Sequence, residues 1–537
     1  MESIEHGAAT IVRRFSHTAT QQARPMTLQA LQLTARALLP GLLACTAAAA
    51  QTPAAEEPSR LKANRSLMMI DYQVVRVAGD EPIDLVGFHV MNEVANGLYL
   101  GAGLFAPHFR GVYGGFTAYD ITLHGQRKLS PKWTLQAGLA LGGGAGGRSV
   151  ENAKSLSGTG AFYKAYAGLG YDFGPAILGL NVSKMSFQRS TIGGTQANAY
   201  VQVPFQYLTG PFTSHGQRLT RAEDREAAAA SSERMLTVSL DTYSQIDPQG
   251  SYKGNWSNAD LQFSQYFARD TYWFANLGVG YRGMPLYNQV MGGVGQRLRV
   301  SPSVTLYGQL ALGSGGYAPE RINTDAGFLV YPRLSAEYAL TRDLGLSLSA
   351  GYLVAPEGTS KNRSVGIALT RHLRASTGPA ATAESGRPAL FQGYRVGLFQ
   401  QTQPSVSFAG IDRGRLSLVG IQAEALLNER WYIPVQAAIA YTTYLGYPGN
   451  GELLGGIGVQ TLATRGDRLQ GFAELMAGTN VHGLAVKVGL GLRYHLNERI
   501  ALRAMAGHIE ARSAARNRYS AESVSLGFDY LFSMPTW

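Results

Sequence analysis

From about Arg65 onward, segments of 9 to 14 residues in which apolar and polar side chains alternate follow one another almost without a break. In Val304–Leu312, Leu306, Leu310 and Leu312 fall on one face, and Thr305, Tyr307, Gln309 and Ala311 on the other. Asp343–Tyr352 sets Leu344, Leu346, Leu348 and Tyr352 on one side. Leu484–Tyr494 reads Leu, Val, Val, Leu, Leu, Tyr on one face and Ala, Lys, Gly, Gly, Arg on the other. Successive side chains of a β-strand point to opposite faces, so this pattern asks for strands with one apolar and one polar side. A strand of about ten residues, tilted near 45°, is long enough to cross a bilayer. Soluble sandwiches usually use shorter strands.

Composition points the same way. Only 15% of the 537 residues are charged, against about a quarter in an ordinary soluble protein. Mean hydropathy is −0.07, too low for a bundle of membrane helices. Beyond the leader there is no run of 18 apolar residues, so no spanning helix is expected. The net charge is +11. No Lys/Arg cluster is interleaved with aromatics, so nucleic acid is not an expected partner. The basic balance suits anionic lipid headgroups.

From Met26 the chain has a short basic region at Arg36, a small and apolar core from Ala37 to Ala50, and Ala48-Ala49-Ala50 before Gln51. This is the pattern of a secretory signal peptide. Residues 1–25 read as an unused upstream extension, 26–50 as the signal peptide and 51–65 as a linker. Leu42-Leu43-Ala44-Cys45 also resembles a lipoprotein cleavage box, which would acylate Cys45. Cys45 is the only cysteine, so the remainder can form no disulfide and offers no thiolate.

The chain repeats itself. Residues 66–209, 233–373 and 389–537 each read as eight strands. They are joined by a partly helical linker at 210–232 and a flexible one at 374–388. Short polar turns recur at matching places, among them Gln126–Trp133, Gln296–Ser303 and Thr464–Arg468. An even strand number puts these turns and the N-terminus on one side, expected to be periplasmic. Trp133, Trp273 and Trp431 stand where strands leave the turns, as an interfacial aromatic girdle would. About 24 strands result. Lipid tolerates no open sheet edge, so the strands must close into rings. One ring of twenty-four is favoured over three rings of eight, or sixteen plus eight.

The last strand, Ser523–Phe532, carries Gly527, Tyr530 and Phe532 in alternation. It resembles the C-terminal signal strand of bacterial outer-membrane β-barrel proteins. That pattern usually ends the chain on the aromatic, whereas here five residues follow. The resemblance implies an all-β, transmembrane antiparallel barrel in a Gram-negative outer membrane. It also implies membrane lipid and the barrel assembly machinery as partners, with an envelope export system as a further one.

Candidate site residues are the charges on inward faces. Lys164 and Lys487 each lie seven residues before an equivalent tyrosine, Tyr171 and Tyr494. The odd offset turns them inward if the tyrosines face lipid. Arg333, Glu337 and Arg493 face inward by the same parity. A charge on the lipid face would cost about 2–4 kcal/mol at midplane. These residues suggest either a lumen lining or a salt-bridge network that plugs narrow barrels.

No HExxH, EF-hand or Walker sequence occurs, and none of the histidines has Ser two positions later. His508, Glu510 and Ser513 come nearest to a triad, but Ser513 would point away. Neither a cofactor, a metal nor an enzymatic activity is expected. A pore for transport or export is the favoured function, a non-conducting structural or adhesive barrel the alternative, and a lipid-modifying enzyme the least favoured.

Overall fold

The computed structural model describes residues 59–536 apart from 146–159, 231–232, 286, 319, 342, 374–388, 445–449, 463–467 and 514. The upstream extension, the signal peptide with Cys45, and the 374–388 linker lie outside the described residues.

The first repeat forms β1 (Lys62–Val75), β2 (Ile83–Ala95), β3 (Leu98–Ala106), β4 (Thr117–Lys128), β5 (Trp133–Ala145), β6 (Ala161–Asp172), β7 (Ile177–Phe187) and β8 (Gly193–Thr209). Each strand pairs antiparallel with the next, and β1 pairs with β8 from Lys62↔Thr209 to Tyr72↔Ala199. That last pairing closes a ring of eight. The first strand thus begins inside the segment read as a linker.

The second repeat forms β9 (Arg234–Gln245), β10 (Trp256–Tyr266), β11 (Thr271–Arg282), β12 (Asn288–Arg299), β13 (Val304–Gly316), β14 (Phe328–Ala339), β15 (Leu344–Val354) and β16 (Lys361–His372). Here β16 returns to β9. The third forms β17 (Leu390–Gln403), β18 (Val406–Phe408), β19 (Ile411–Asp412), β20 (Leu416–Leu426), β21 (Trp431–Ala440), β22 (Gly451–Gln460), β23 (Leu469–Asn480), β24 (Gly483–His495), β25 (Ile500–Arg512) and β26 (Arg518–Thr536). β17 pairs with both β20 and β26, while β18 and β19 make a small hairpin in the loop between.

Three rings of eight therefore stand in place of the single ring of twenty-four that the sequence favoured. The requirement that lipid sees no strand edge is met within each repeat. Eight strands enclose a space that side chains alone can fill.

The alternation sorts the side chains as the strand period demands. On β24, Leu490 is 70% exposed and Lys487 is fully buried. The same outward apolar face runs through Leu139, Leu180, Leu334, Leu348 and Leu526. No helix among the described residues is long and apolar enough to cross a membrane.

Each ring has a base, where linkers and short turns lie, and a rim at the opposite end. Apolar clusters close the rims. Phe105, Tyr113, Phe116, Phe162 and Phe187 pack in the first ring. Tyr243, Trp256, Tyr287 and Tyr331 pack in the second, and Val406, Leu418, Tyr444 and Tyr519 in the third. The rings also touch one another at the rim. Gly114 N–H donates to Asp325 O at 2.8 Å, Asn288 Nδ2 to Gly115 O at 2.7 Å, and Thr479 Oγ1 to Gly280 O at 3.2 Å.

The linker after β8 carries α1 (Arg221–Ala230). Thr220 caps it: Glu223 N–H donates to Thr220 Oγ1 at 3.2 Å, and Thr220 N–H to Glu223 Oε2 at 2.8 Å. This reciprocal pair is a capping box.

Candidate functional site

The interiors of the three rings hold most of the buried charged side chains, because the polar faces of the strands point there. In the first ring, β6 directs Lys164 inward, where it is 2% exposed. It forms an ion pair with Asp71 of β1 and lies 4.7 Å from the Phe105 ring centre. His89 sits 3.1 Å from Asp120 and 3.8 Å from Asp71. Nearer the base, His124 Nδ1 meets Tyr166 Oη at 2.8 Å, and Gln202 donates to Gln136 at 2.6 Å. Glycine makes the room: a Cβ on Gly103 would collide with the His89 ring, and one on Gly87 with Asp71.

In the second ring, Arg333 donates to Asp241 at 3.0 Å and to Ser349 at 2.7 Å. Gln289 donates to Asp260 at 2.8 Å and to Tyr243 Oη at 3.0 Å. Glu337 lies lower, 2.8 Å from His372 Nε2. At the base, Arg297 bridges Glu233 at 2.6 Å and Asp270 at 3.2 Å.

The third ring is the most highly charged. Arg493 donates to Asp529 at 2.8 Å and to Glu424 at 2.8 Å. Arg395 reaches the other oxygen of Glu424 at 2.6 Å. Arg503 lies 3.5 Å from Glu424 and 3.9 Å from Glu474. Toward the rim, Lys487 donates to Gln401 and Gln436, and Gln401, Gln403 and Gln436 turn their amides to Glu452.

Lys164, Arg333, Glu337, Lys487 and Arg493 thus all point into the rings. The sequence reading passed over their partners Asp71, Asp241, Arg395, Glu424 and Asp529. The signal was present in each case as the same inward parity. Which inward residues meet is set by the stagger of the strands, which parity does not contain.

The girdle tryptophans lie at the base end of outward faces. Trp133 is 48% and Trp431 43% exposed. Trp133 packs edge-on to Tyr171 at 5.4 Å, and Trp273 lies 5.6 Å from Phe263. In β26, Gly527 pairs with Arg503 and Phe399, and Phe532 stacks on Tyr394 at 5.9 Å. Tyr530 points outward on the same strand. The residues after Phe532 continue the strand against β17 as far as Leu390↔Thr536.

The base of the third ring is covered by another part of the chain. Gly210 pairs with Ser533. Gly216 N–H donates to Phe391 O at 2.8 Å, and Leu219 N–H to Ala389 O at 2.8 Å. His215 Nδ1 accepts the Gly393 N–H at 3.0 Å. Burial pushes the His215 imidazole down from its usual value, which keeps that nitrogen free to accept. Leu61, Leu219, Ala227, Ala389 and Phe391 form the apolar contact beneath.

Among the described residues no three His, Cys, Asp or Glu side chains are arranged to hold a metal ion.

No family model matches the sequence, and no curated protein is similar to it in sequence. Similar solved structures include a variant of the ferric enterobactin receptor of Pseudomonas aeruginosa. It is 9% identical over 87% of this chain and 80% of that one, with a TM-score of 0.28. The siderophore receptor PirA of the same organism is 10% identical over 89% and 81%, with a TM-score of 0.25. The NanC porin is 11% identical over 55% and 98%, with a TM-score of 0.16. These are outer-membrane β-barrel proteins.

Proposed function

We propose that the protein is an outer-membrane anchor of three plugged, non-conducting barrels. It holds its rim loops at the cell surface and its linkers in the periplasm. Of the pore and the structural barrel expected from the sequence, the filled interiors favour the second. The observation that carries this is the third ring. Arg395, Lys487, Arg493 and Arg503 face Glu424, Glu452, Glu474 and Asp529 inside it, and none of the eight is more than 4% exposed. Charges lining a water-filled path would be solvated. These instead compensate one another in a space that eight strands leave just wide enough for side chains. The outward apolar faces support placement in lipid, since large exposed apolar surfaces are rare on soluble monomers. The same reading makes lipid and the barrel assembly machinery, engaging Gly527, Tyr530 and Phe532, the partners in assembly.

The test is single-channel recording of the folded protein in a planar bilayer, with insertion verified separately. Silence is expected. Large, stable conductance steps would replace this reading with a transport or export pore.

A further inference from the structure

On the outward face of the third ring, near the rim, His508 of β25 stands among side chains of β26. Its Nδ1 lies 2.8 Å from Glu522 Oε1. Its Nε2 lies 3.4 Å from Ser520 Oγ. In the strand register His508 is opposite Glu522, and Glu510 is opposite Ser520. The neighbouring Ile509, Tyr519, Ala521 and Ser523 are buried in the interior, so all four partners look outward. Glu510 also approaches His508 Nε2, at 3.3 Å, but its same oxygen is held by the Arg518 guanidinium. With Nδ1–H donating to Glu522, Nε2 is left to accept the Ser520 hydroxyl proton. That is the relation a serine nucleophile needs to its base, and the base to the group that orients it. The residue picked out along the strand, Ser513, is elsewhere: it caps the rim turn, accepting the Asn517 N–H at 3.1 Å.

Below this cluster the outward surface is grooved. Ala504 and Ala506 form the floor. Leu492 and Leu490 stand opposite them on β24, and Leu526 and Val524 on β26. The four wall residues are between 50% and 70% exposed. With strands about 4.8 Å apart, the two ridges are about 10 Å apart, which leaves room for one extended hydrocarbon chain between them. The groove leads up to His508.

We propose that Ser520, His508 and Glu522 form an esterase site for long-chain acyl esters of membrane amphiphiles, with the acyl chain lying in the Ala504–Ala506 groove. Ser520 Oγ forms a bond to the ester carbonyl carbon while His508 Nε2 takes its proton. The carbonyl–alkoxy bond breaks, and the alcohol leaves with that proton. Water then attacks the acyl-serine, giving its proton through His508, and releases the fatty acid and the free hydroxyl. Glu522 holds the imidazole and stabilises its charged form. Arg518, two residues before Ser520 on the same face, supplies positive charge beside the site.

This site rests on the membrane reading for access to its substrate, and the two are separable. Full-length protein is assayed in mixed micelles with diacyl phosphatidylethanolamine, and with a fluorophosphonate probe. Insertion of the same preparation into vesicles is scored independently. Fatty-acid release is expected, together with labelling of Ser520. Ser520→Ala and His508→Asn are expected to lower the rate on the order of a thousandfold, with heat-modifiable gel mobility unchanged. A wild-type rate no greater than that of Ser520→Ala, or labelling of another serine, overturns the site whether or not the protein inserts. Ser520-dependent hydrolysis by protein that does not insert would keep the site and remove the membrane placement.

Discussion

The Phe212 ring, carried by the linker that leaves the first ring, lies 5.4 Å from the Arg395 guanidinium inside the base of the third. On another side Arg395 lies 5.0 Å from the Tyr432 ring. A segment that follows β8 in the chain thus finishes the packing of a ring that begins at Leu390. Its backbone bonds to Phe391 and Ala389 fix it there.

Phe212→Ala removes that contact and leaves the backbone pairing. A cation–π contact of this kind is worth about 0.5–2 kcal/mol. Amide exchange at Gly216 and Leu219 is expected to quicken by about two- to thirtyfold, the corresponding change in opening equilibrium, with the strands of the third ring unaffected. Unchanged exchange at both amides would mean that the ring does not hold the linker.

The docked helix is predicted to be acid-sensitive. The Arg60 side chain donates to both oxygens of Glu223, at 2.9 and 2.7 Å. Hydrogen bonding to Arg60 foremost, opposed by burial and aided by the backbone N–H groups of Thr220 and Arg60, holds the Glu223 carboxyl down at about 2. An unfolded glutamate titrates near 4.3. The folded value is the lower one, so this contribution is fully present above about pH 4.3 and is lost as pH falls toward 2. Protease nicking of the 219–230 segment should therefore rise across that window in the wild type. Glu223→Gln should be nicked readily at pH 6 and change little on acidification. A wild-type linker equally resistant at pH 6 and pH 2.5 contradicts this.

Arg493 tests the interior. Arg493→Met leaves Asp529 buried without its guanidinium partner, while Glu424 keeps Arg395 at 2.6 Å. Breaking one side of a buried pair costs about 3–5 kcal/mol, whereas replacing both partners with apolar groups is often nearly neutral. Urea unfolding from vesicles should show that loss for the single variant. Most of it should return in Arg493→Met combined with Asp529→Leu. Equal destabilisation of the single and double variants would argue that the charge left behind is not the cause.

Local features were legible in the sequence and distant ones were not. Alternation along Leu484–Tyr494 placed Lys487 and Arg493 inside and Leu490 outside, because a strand's period is a property of the strand alone. Ring closure depends on Lys62 meeting Thr209, a pairing that alternation does not encode. Along its own strand His508 is followed by Glu510 and Ser513, whereas Glu522 and Ser520 reach it across the hairpin. The linker at 210–219 carries no local sign of where it docks, since the residues it docks on, Phe391 and Ser533, lie far along the chain. The hairpin of β18 and β19 consists of strands too short to show a period.

Outward leucines provide the last test, because membrane depth acts on them and ring packing does not. Leu348 lies near the middle of β15, opposite Ala336 and Ile367, and is 66% exposed. Leu298 is 62% exposed but sits at the base end of β12. In water the two would tolerate arginine equally well. In a bilayer an arginine costs about 2–4 kcal/mol at the midplane and about 0–1 kcal/mol near the interface. Leu348→Arg is therefore expected to destabilise the protein in vesicles by about 1–4 kcal/mol more than Leu298→Arg does. The difference comes from the depth of the side chain, since neither leucine contributes to an interior network. Equal effects at the two positions would mean that the exposed apolar face does not sit in lipid, and the membrane placement would fall with it.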